Sequence, residues 1–396
     1  MSSHSDHSSD KDTMLPKTGL AVEILQNLER FPHCLLLTRV GQFYESYFDQ
    51  AIEVAKLLNI KLTSKAWGGG RVPMCGFPLM HLEKHLKVLI HRHRKYVALC
   101  EEFKRGNDRF ERRVTRVVTP GTLIDETFLN PYENNYVLSI SCSPEMEIER
   151  QRDVGLAWMD VSTGDFFSQT STIDTLQDEI VRISPKEIIL PDNIKSLPIH
   201  PVHQAIAEEQ DLFVSYARSR GTGVSLHGAE EPNSDDLTLS PLILPTYASE
   251  EAEAISQLTT YLAENLLEHM PTLSRPLRQG TDMRMQIDSH TIHSLEIMEG
   301  MREGGTVGTL FSSINRTTTS SGSRLLSRWL CAPSTSIAEI KTRQSVVSFF
   351  YTRPHLRADL IALLRKIEDT ARIVQKFLAG RGTPDDLRNI ATAITT

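Results

Sequence analysis

Gly41-Gln42-Phe43-Tyr44-Glu45 is the stretch whose residue types and spacing are best suited to chemistry on a flat, stacked ligand. On extended backbone, side chains two positions apart point the same way. Phe43 and Glu45 then project together while Tyr44 turns back toward the protein. A ring beside a carboxylate suits the probing of DNA bases. Such a ring can wedge between base steps from the minor groove, and such a carboxylate can accept a hydrogen bond from a base edge. The competing reading of so short a pattern is a packed aromatic pair at the start of a helix.

Other candidate chemistry is weaker. Gly304-Gly305-Thr306-Val307-Gly308 lacks the lysine of a phosphate-cradling loop, and no G-x-x-x-x-G-K-[S/T] occurs anywhere. His81 and His85 stand one helical turn apart, but no third ligand completes a metal site. Asp160 and Asp165 flank Ser-Thr-Gly at a hairpin tip. They could form part of a two-metal nuclease site, or simply cap a turn whose bend Gly164 supplies. Lys65, Arg71, Arg113 and Arg116 are candidates for DNA phosphates, contacts that add affinity without reading sequence. From His81 to Val118 there are eleven Lys and Arg against five Asp and Glu, although the whole chain carries −7. A local basic surface bears on nucleic acid more than that sum does.

The elements that must position these groups are read from periodicity. Helices are predicted over Thr18–Arg30, Glu45–Leu58 and His81–His93. Strands are predicted over Cys34–Thr38, Ile60–Thr63, Tyr96–Cys100 and Arg113–Val118, with a loop at Gly68-Gly69-Gly70. A second α/β set follows: strands at Tyr136–Ile140, Gly155–Val161, Asp165–Gln169 and Glu187–Leu190, and a helix over Ile173–Ile183. Arg218–Pro245 is rich in Gly, Ser, Pro and acid, and reads as a linker. From Ser249 the pattern is helical. It includes one long stripe from Leu356 to Phe377 and a strong start at Thr383-Pro384-Asp385-Asp386.

A chain of 396 residues predicts two or three domains. The expected division is a disordered segment 1–17, a mixed α/β domain 18–131, a second α/β domain 132–245 and a helical domain 246–396. No apolar run approaches the ~20 residues that span a bilayer. Met1–Thr13 has neither the apolar segment of a secretory signal nor the arginines of a transit peptide. Five scattered cysteines predict free thiols in a reducing compartment.

Taken together, the motifs resemble the MutS family of DNA mismatch-recognition proteins over nearly all the chain after Leu15. They are Gly41–Glu45; Val72-Pro73-Met74-Cys75-Gly76-Phe77-Pro78; Arg113-Val114 through Thr119-Pro120-Gly121-Thr122; Gly155-Leu156-Ala157 through Asp165; Asp288 through Glu296; Thr317 through Trp329-Leu330; and Ile340 through Gln344. Details such as Thr-Arg-Val-Gly-Gln-Phe-Tyr-Glu look most like the fungal mitochondrial branch. Many relatives carry Asp where this chain has Gln42.

The resemblance implies a multidomain fold: a small mismatch-recognition domain, an RNase H-like connector without nuclease activity, and an incomplete helical lever. It implies that Phe43 and Glu45 touch the mismatch, supported by Gly41, Tyr44, Met74 and Gly76. The implied partner is double-stranded DNA with mismatches or small loops, with homodimers expected of full-length relatives and no membrane. ATP and Mg would belong to an ATPase domain outside this chain, so no cofactor, metal or catalytic residue is expected here. Placement in the mitochondrion follows the branch, with the nucleus as the alternative. The competing readings are a metal-dependent nuclease centred on Asp160 and Asp165, and a non-catalytic scaffold.

Overall fold

The computed structural model describes residues 19–67, 70–106, 109–142, 153–207, 209, 212–217, 247–280, 283–301 and 305–395. The terminal segment 1–17, Gly68-Gly69, Gly304 and the expected linker Arg218–Pro245 lie outside these. The chain divides into two compact units, residues 1–118 and 119–396.

The first unit is one six-stranded mixed sheet with helices. In chain order it comprises α1 (Gly19–Arg30), β1 (Leu35–Val40), β2 (Phe43–Tyr47), α2 (Phe48–Leu58), β3 (Thr63–Trp67), β4 (Gly70–Pro78), α3 (Leu82–Lys87), β5 (Val97–Arg105) and β6 (Arg109–Val118). The strand order is β3-β4-β2-β1-β5-β6. Only β1 and β5 run parallel; every other neighbouring pair is antiparallel. Leu35, Leu36 and Leu37 of β1 are all buried, as are Ala51 and Val54 of α2 and Leu86 of α3. Burial on successive positions marks a central strand covered on both faces.

Two sequence expectations change here. The helix expected from Glu45 starts at Phe48, and residues 43–47 form a strand instead. The apolar stripe Phe48, Ile52, Ala55 is helical as read, but β1 and β4 both hydrogen-bond β2, and this ladder extends the strand through Tyr47. The helix expected over His81–His93 is α3 followed by a π-helical turn at Val88–Arg92.

The second unit holds β7 (Tyr136–Ser141), β8 (Asp153–Asp160), β9 (Asp165–Thr172), α4 (Leu176–Ile183), β10 (Glu187–Pro191), α5 (Pro201–Ala207), β11 (Phe213–Ala217), α6 (Ser249–Leu266) and the two-residue β12 (Leu277–Arg278). These are followed by the helices α7 (Ser289–Ser294), α8 (Leu310–Ile314), α9 (Ser320–Cys331), α10 (Ile337–Tyr351), α11 (Pro354–Leu364), α12 (Thr370–Leu378) and α13 (Pro384–Thr395). The sheet order is β11-β10-β7-β8-β9-β12. Alternation along β7 splits the core in two. Tyr136, Leu138 and Ile140 pack with Leu176, Ile180 and Ile183 of α4. Val137 faces the other side, toward Ala254, Ile255, Leu258 and Leu262 of α6. The helix expected to open the helical part therefore completes this sheet's second face.

Buried polar groups tie the second unit together. Glu187 is fully buried, and Thr119 Oγ1 donates to it at 2.5 Å and Gly121 N at 2.8 Å. The hydroxyls of Ser215 and Tyr261 also donate to it. This carboxylate ties Thr119–Gly121 into the second unit, which begins at Thr119. Farther along, Arg324 donates to Pro131 O and to Asp369, both at 2.6 Å. Arg372 donates to Asn130 O at 3.2 Å and Glu133 O at 2.8 Å. The long stripe from Leu356 to Phe377 breaks into α11 and α12, and α10 and α11 bury no residue.

Burial raises the Glu187 carboxyl above its ordinary value of 4.5, against the pull of its hydrogen bonds. The fold thus favours the protonated form. Its contribution is fully present below about 4.5 and is lost as pH rises through the elevated native value. The wild type's advantage in thermal unfolding over Glu187→Gln is expected to shrink as pH rises from 4.5. An advantage that grows with pH would contradict this.

Candidate nucleic-acid interface

The site is built on the hairpin of β1 and β2. Val40 pairs with Phe43 and Gly41-Gln42 makes the two-residue turn. Gly41 has φ +60°, a conformation that L side chains rarely adopt. The pleat of β2 sorts its side chains as the sequence implied. Phe43 is 46% exposed and Tyr44 only 5%. Glu45 is on Phe43's face and is partly exposed. The same face closes at Tyr47, 2% exposed, whose ring stacks on Trp67 at 4.7 Å between centroids. An apolar ring thus stands at the open end of a face whose other end is packed.

Tyr44 anchors the hairpin from the opposite face. Its hydroxyl donates to Glu101, which also takes Arg39 at 3.3 Å. Burial foremost, then Glu101, pushes the Tyr44 hydroxyl's pKa upward, so it remains a donor. The ring lies 6.3 Å from Phe77, whose own neighbour is His85 at 4.3 Å.

Glu45 is held by its neighbours. Its Oε2 accepts from the Tyr47 hydroxyl and from Lys65 Nζ at 3.1 Å. Lys65 also donates to the Tyr47 hydroxyl at 3.0 Å, and its ammonium lies 5.4 Å from that ring's centroid. Burial first, then the Glu45 bond, raises the Tyr47 pKa and keeps that donor protonated. Lys65 is on β3, and β4 lies between it and β2. Gly76 of β4 pairs with Glu45. Met74 pairs with both Tyr47 and Thr63.

The other expected backbone contacts separate. Arg71 is exposed and binds Ser64 Oγ at 2.8 Å. Arg113 is exposed beside Phe103, its guanidinium 4.1 Å from the ring centroid. Arg116 is 5% exposed, which removes it from the phosphate candidates. It lies in the buried stretch of β6 from Val114 to Val118 and acts electrostatically on Tyr44. Sequence reading missed Tyr47 and Trp67 because it started the helix too early. The i, i+2, i+4 spacing of Phe43, Glu45 and Tyr47 was the available signal. It also missed Met80, 82% exposed, in the turn where Leu79 N donates to Gln42 O at 3.0 Å.

Asp160 and Asp165 do pair across the β8–β9 hairpin. Asp160 is fully buried and accepts from Asn135 N at 2.9 Å, Ser162 N at 2.9 Å and Ser162 Oγ at 2.6 Å. Its oxygens cap the turn, while Asp165 faces Arg328 at 3.6 Å. The nuclease reading thus loses its acids to structural work. Among the described residues no group of three His, Cys, Asp or Glu is placed to hold a metal ion. No helix there is long and apolar enough to cross a membrane. All five cysteines are free and buried, and burial pushes Cys34 and Cys100 up to about 12.

Two sheet-based α/β assemblies followed by helices define a multidomain α/β and α protein with an aromatic–acid pair at a hairpin tip. Family models described as MutS domain I, MutS domain II and MutS domain III match residues 23–127, 135–274 and 290–396 in that order. The domain II match takes in α6, in keeping with its packing. The chain is 34% identical over 370 residues to the DNA mismatch repair protein MutS of Bartonella henselae, covering 90% of this chain and 39% of that protein. It is 32% identical over 383 residues to the Ehrlichia chaffeensis protein of that name, covering 93% and 45%. The Methanothrix thermoacetophila protein of that name matches at 32% over 367 residues, covering 91% and 39%. The chain belongs to the MutS family and carries its domains I, II and III. It spans about two fifths of the length of these relatives.

Glycine at position 76 leaves room for Glu45. A Cβ there would stand 2.9 Å from Tyr44 O and 3.1 Å from Glu45 Cγ. Gly76→Ala is expected to cost on the order of 1–3 kcal/mol in urea unfolding, because the β2–β4 ladder must give way. Unchanged stability would show that the strands absorb the methyl freely.

Proposed function

We propose that this chain binds duplex DNA at mispaired or looped steps, with Phe43 as the wedge and Glu45 as the probe of the displaced base. The observation that carries the reading is the 46% exposure of Phe43 on the same strand face as Glu45, at a hairpin tip whose reverse face is anchored by Tyr44. An apolar ring held at a rigid tip is suited to enter a base step as a wedge. The matched relatives bear the name DNA mismatch repair protein MutS, which supports the same reading.

The physical basis is deformability. A mispair stacks poorly and kinks easily, so inserting Phe43 and bending the duplex costs less there than at a matched step. That difference reads as binding free energy without base-specific pairing. Glu45 accepts one hydrogen bond at the displaced base, or donates one if protonated.

Under this reading these residues act by binding rather than catalysis. The ATP- and Mg-dependent steps and the homodimer belong to the longer relatives the chain resembles. The sheet part of the second unit is an RNase H-like connector and its later helices an incomplete lever; the connector reading is supported by the order β9-β8-β7-β10-β11, with β7, β10 and β11 parallel and β8 antiparallel between β7 and β9. The fungal mitochondrial placement is part of the proposal and rests on branch resemblance. Imaging of a tagged chain tests it against the nuclear alternative.

Fluorescence titration with T·G-mismatched and matched duplexes tests the function. Phe43→Ala is expected to lose on the order of a few kcal/mol of discrimination, the scale of unstacking one step, while salt-dependent binding to matched DNA persists. An undiminished mismatch preference in that variant would overturn the reading.

A further inference from the structure

The Glu45 carboxylate is not simply offered to a ligand. One oxygen, Oε2, takes both Tyr47 and Lys65, with side-chain exposures of 14% for Glu45 and 31% for Lys65. Lys65 makes two contacts within the cluster, at 3.1 Å to Glu45 and 3.0 Å to Tyr47. Its stem comes from β3, across β4, so the cation is carried to the recognition face by the sheet order rather than by sequence proximity.

We propose that Lys65 is a specificity-determining residue: Glu45 and Tyr47 hold its ammonium and so withhold it from DNA phosphates. The proposal rests on the DNA-binding reading above and gives Glu45 a second task. A phosphate contact raises affinity for every duplex equally and so adds nothing to discrimination. By occupying the ammonium beside it, Glu45 keeps sequence-independent binding low. By orienting Oε2 toward the protein, Lys65 and Tyr47 leave Oε1 for the base. The pair thus works as one unit, and loss of Glu45's charge frees a lysine for the backbone.

The salt dependence of binding to matched duplex tests this. Each phosphate neutralised contributes about 0.9 to the slope of log K against log salt. Lys65→Met in the otherwise native chain is expected to leave that slope unchanged, because the ammonium is not on a phosphate. In the Glu45→Gln background, Lys65→Met is expected to lower the slope by about 0.9, because there the lysine has moved to one. An equal fall in both backgrounds would make Lys65 an ordinary phosphate contact, and no change in either would leave it without a DNA role; each overturns the proposal. A cooperative thermal transition in each variant shows that the fold is retained, and Lys65→Gln serves if the methionine variant lacks one. A second readout needs no DNA: reductive methylation of Lys65, followed by mass spectrometry, is expected to run at least threefold faster in Glu45→Gln. An unchanged rate overturns the pairing itself. Loss of mismatch preference concerns Phe43 and the functional reading. The slope on matched duplex and the methylation rate concern Lys65 alone, so the two failures are distinguishable.

Discussion

Strand β2 is hydrogen-bonded on both sides, to β1 and to β4, and this double ladder is the constraint on which the recognition face depends. A strand paired on both edges cannot rotate about its axis without breaking both ladders. Its pleat therefore fixes which side chains face outward. Phe43 and Glu45 go to one face and Tyr44 to the other. The bond from the Tyr44 hydroxyl to Glu101 on β5 then ties the hairpin to a strand beyond β1. The proposed wedge requires such a rigid base, since a yielding hairpin would absorb the distortion meant for the DNA.

The buried ionisable groups show two uses of similar chemistry. Glu187 meets four donors from three separate segments, Thr119–Gly121, Ser215 and Tyr261, and so joins the entry segment of the second unit to a strand and a helix. Arg324 and Arg372 do the same for α9 and α12, donating to carbonyls of residues 130–133. Buried charges persist only when paired or bonded in this way. Asp160 obeys the same rule locally, with its acceptors filled by Asn135 and by its own turn. A hairpin acid with filled acceptor sites is a poor starting point for metal chemistry. Lys65 and Glu45 differ in being partly open to solvent, so their partnership can be exchanged for another.

Much of the first sheet was legible in the sequence because its signals are local. Apolar runs marked β1 and β5, and in the second sheet the Asp160–Asp165 spacing marked the β8–β9 tip. Expectation and structure parted where neighbours outvoted local pattern. The stripe from Phe48 onward is helical, but pairing with β4 extends the preceding strand through Tyr47. The periodicity of α6 is that of any amphipathic helix, and nothing in it says that its partner is a sheet. The stripe from Leu356 to Phe377 reads as one long helix, yet it breaks at Arg365–Asp369 and its first part stays largely exposed.

The sequence by itself determined that Phe43 and Glu45 share a face and that Tyr44 opposes them. Alternation on extended backbone is a property of the chain and needs no tertiary contact. It also carried the ordered motifs that mark the three MutS domains. Only the tertiary structure decided that Lys65 belongs to Glu45, that Arg116 is buried rather than available to phosphate, and that Asp160 caps a turn. Those assignments depend on which strands lie side by side, and the order β3-β4-β2-β1-β5-β6 is set by long-range packing that no short window of residues encodes.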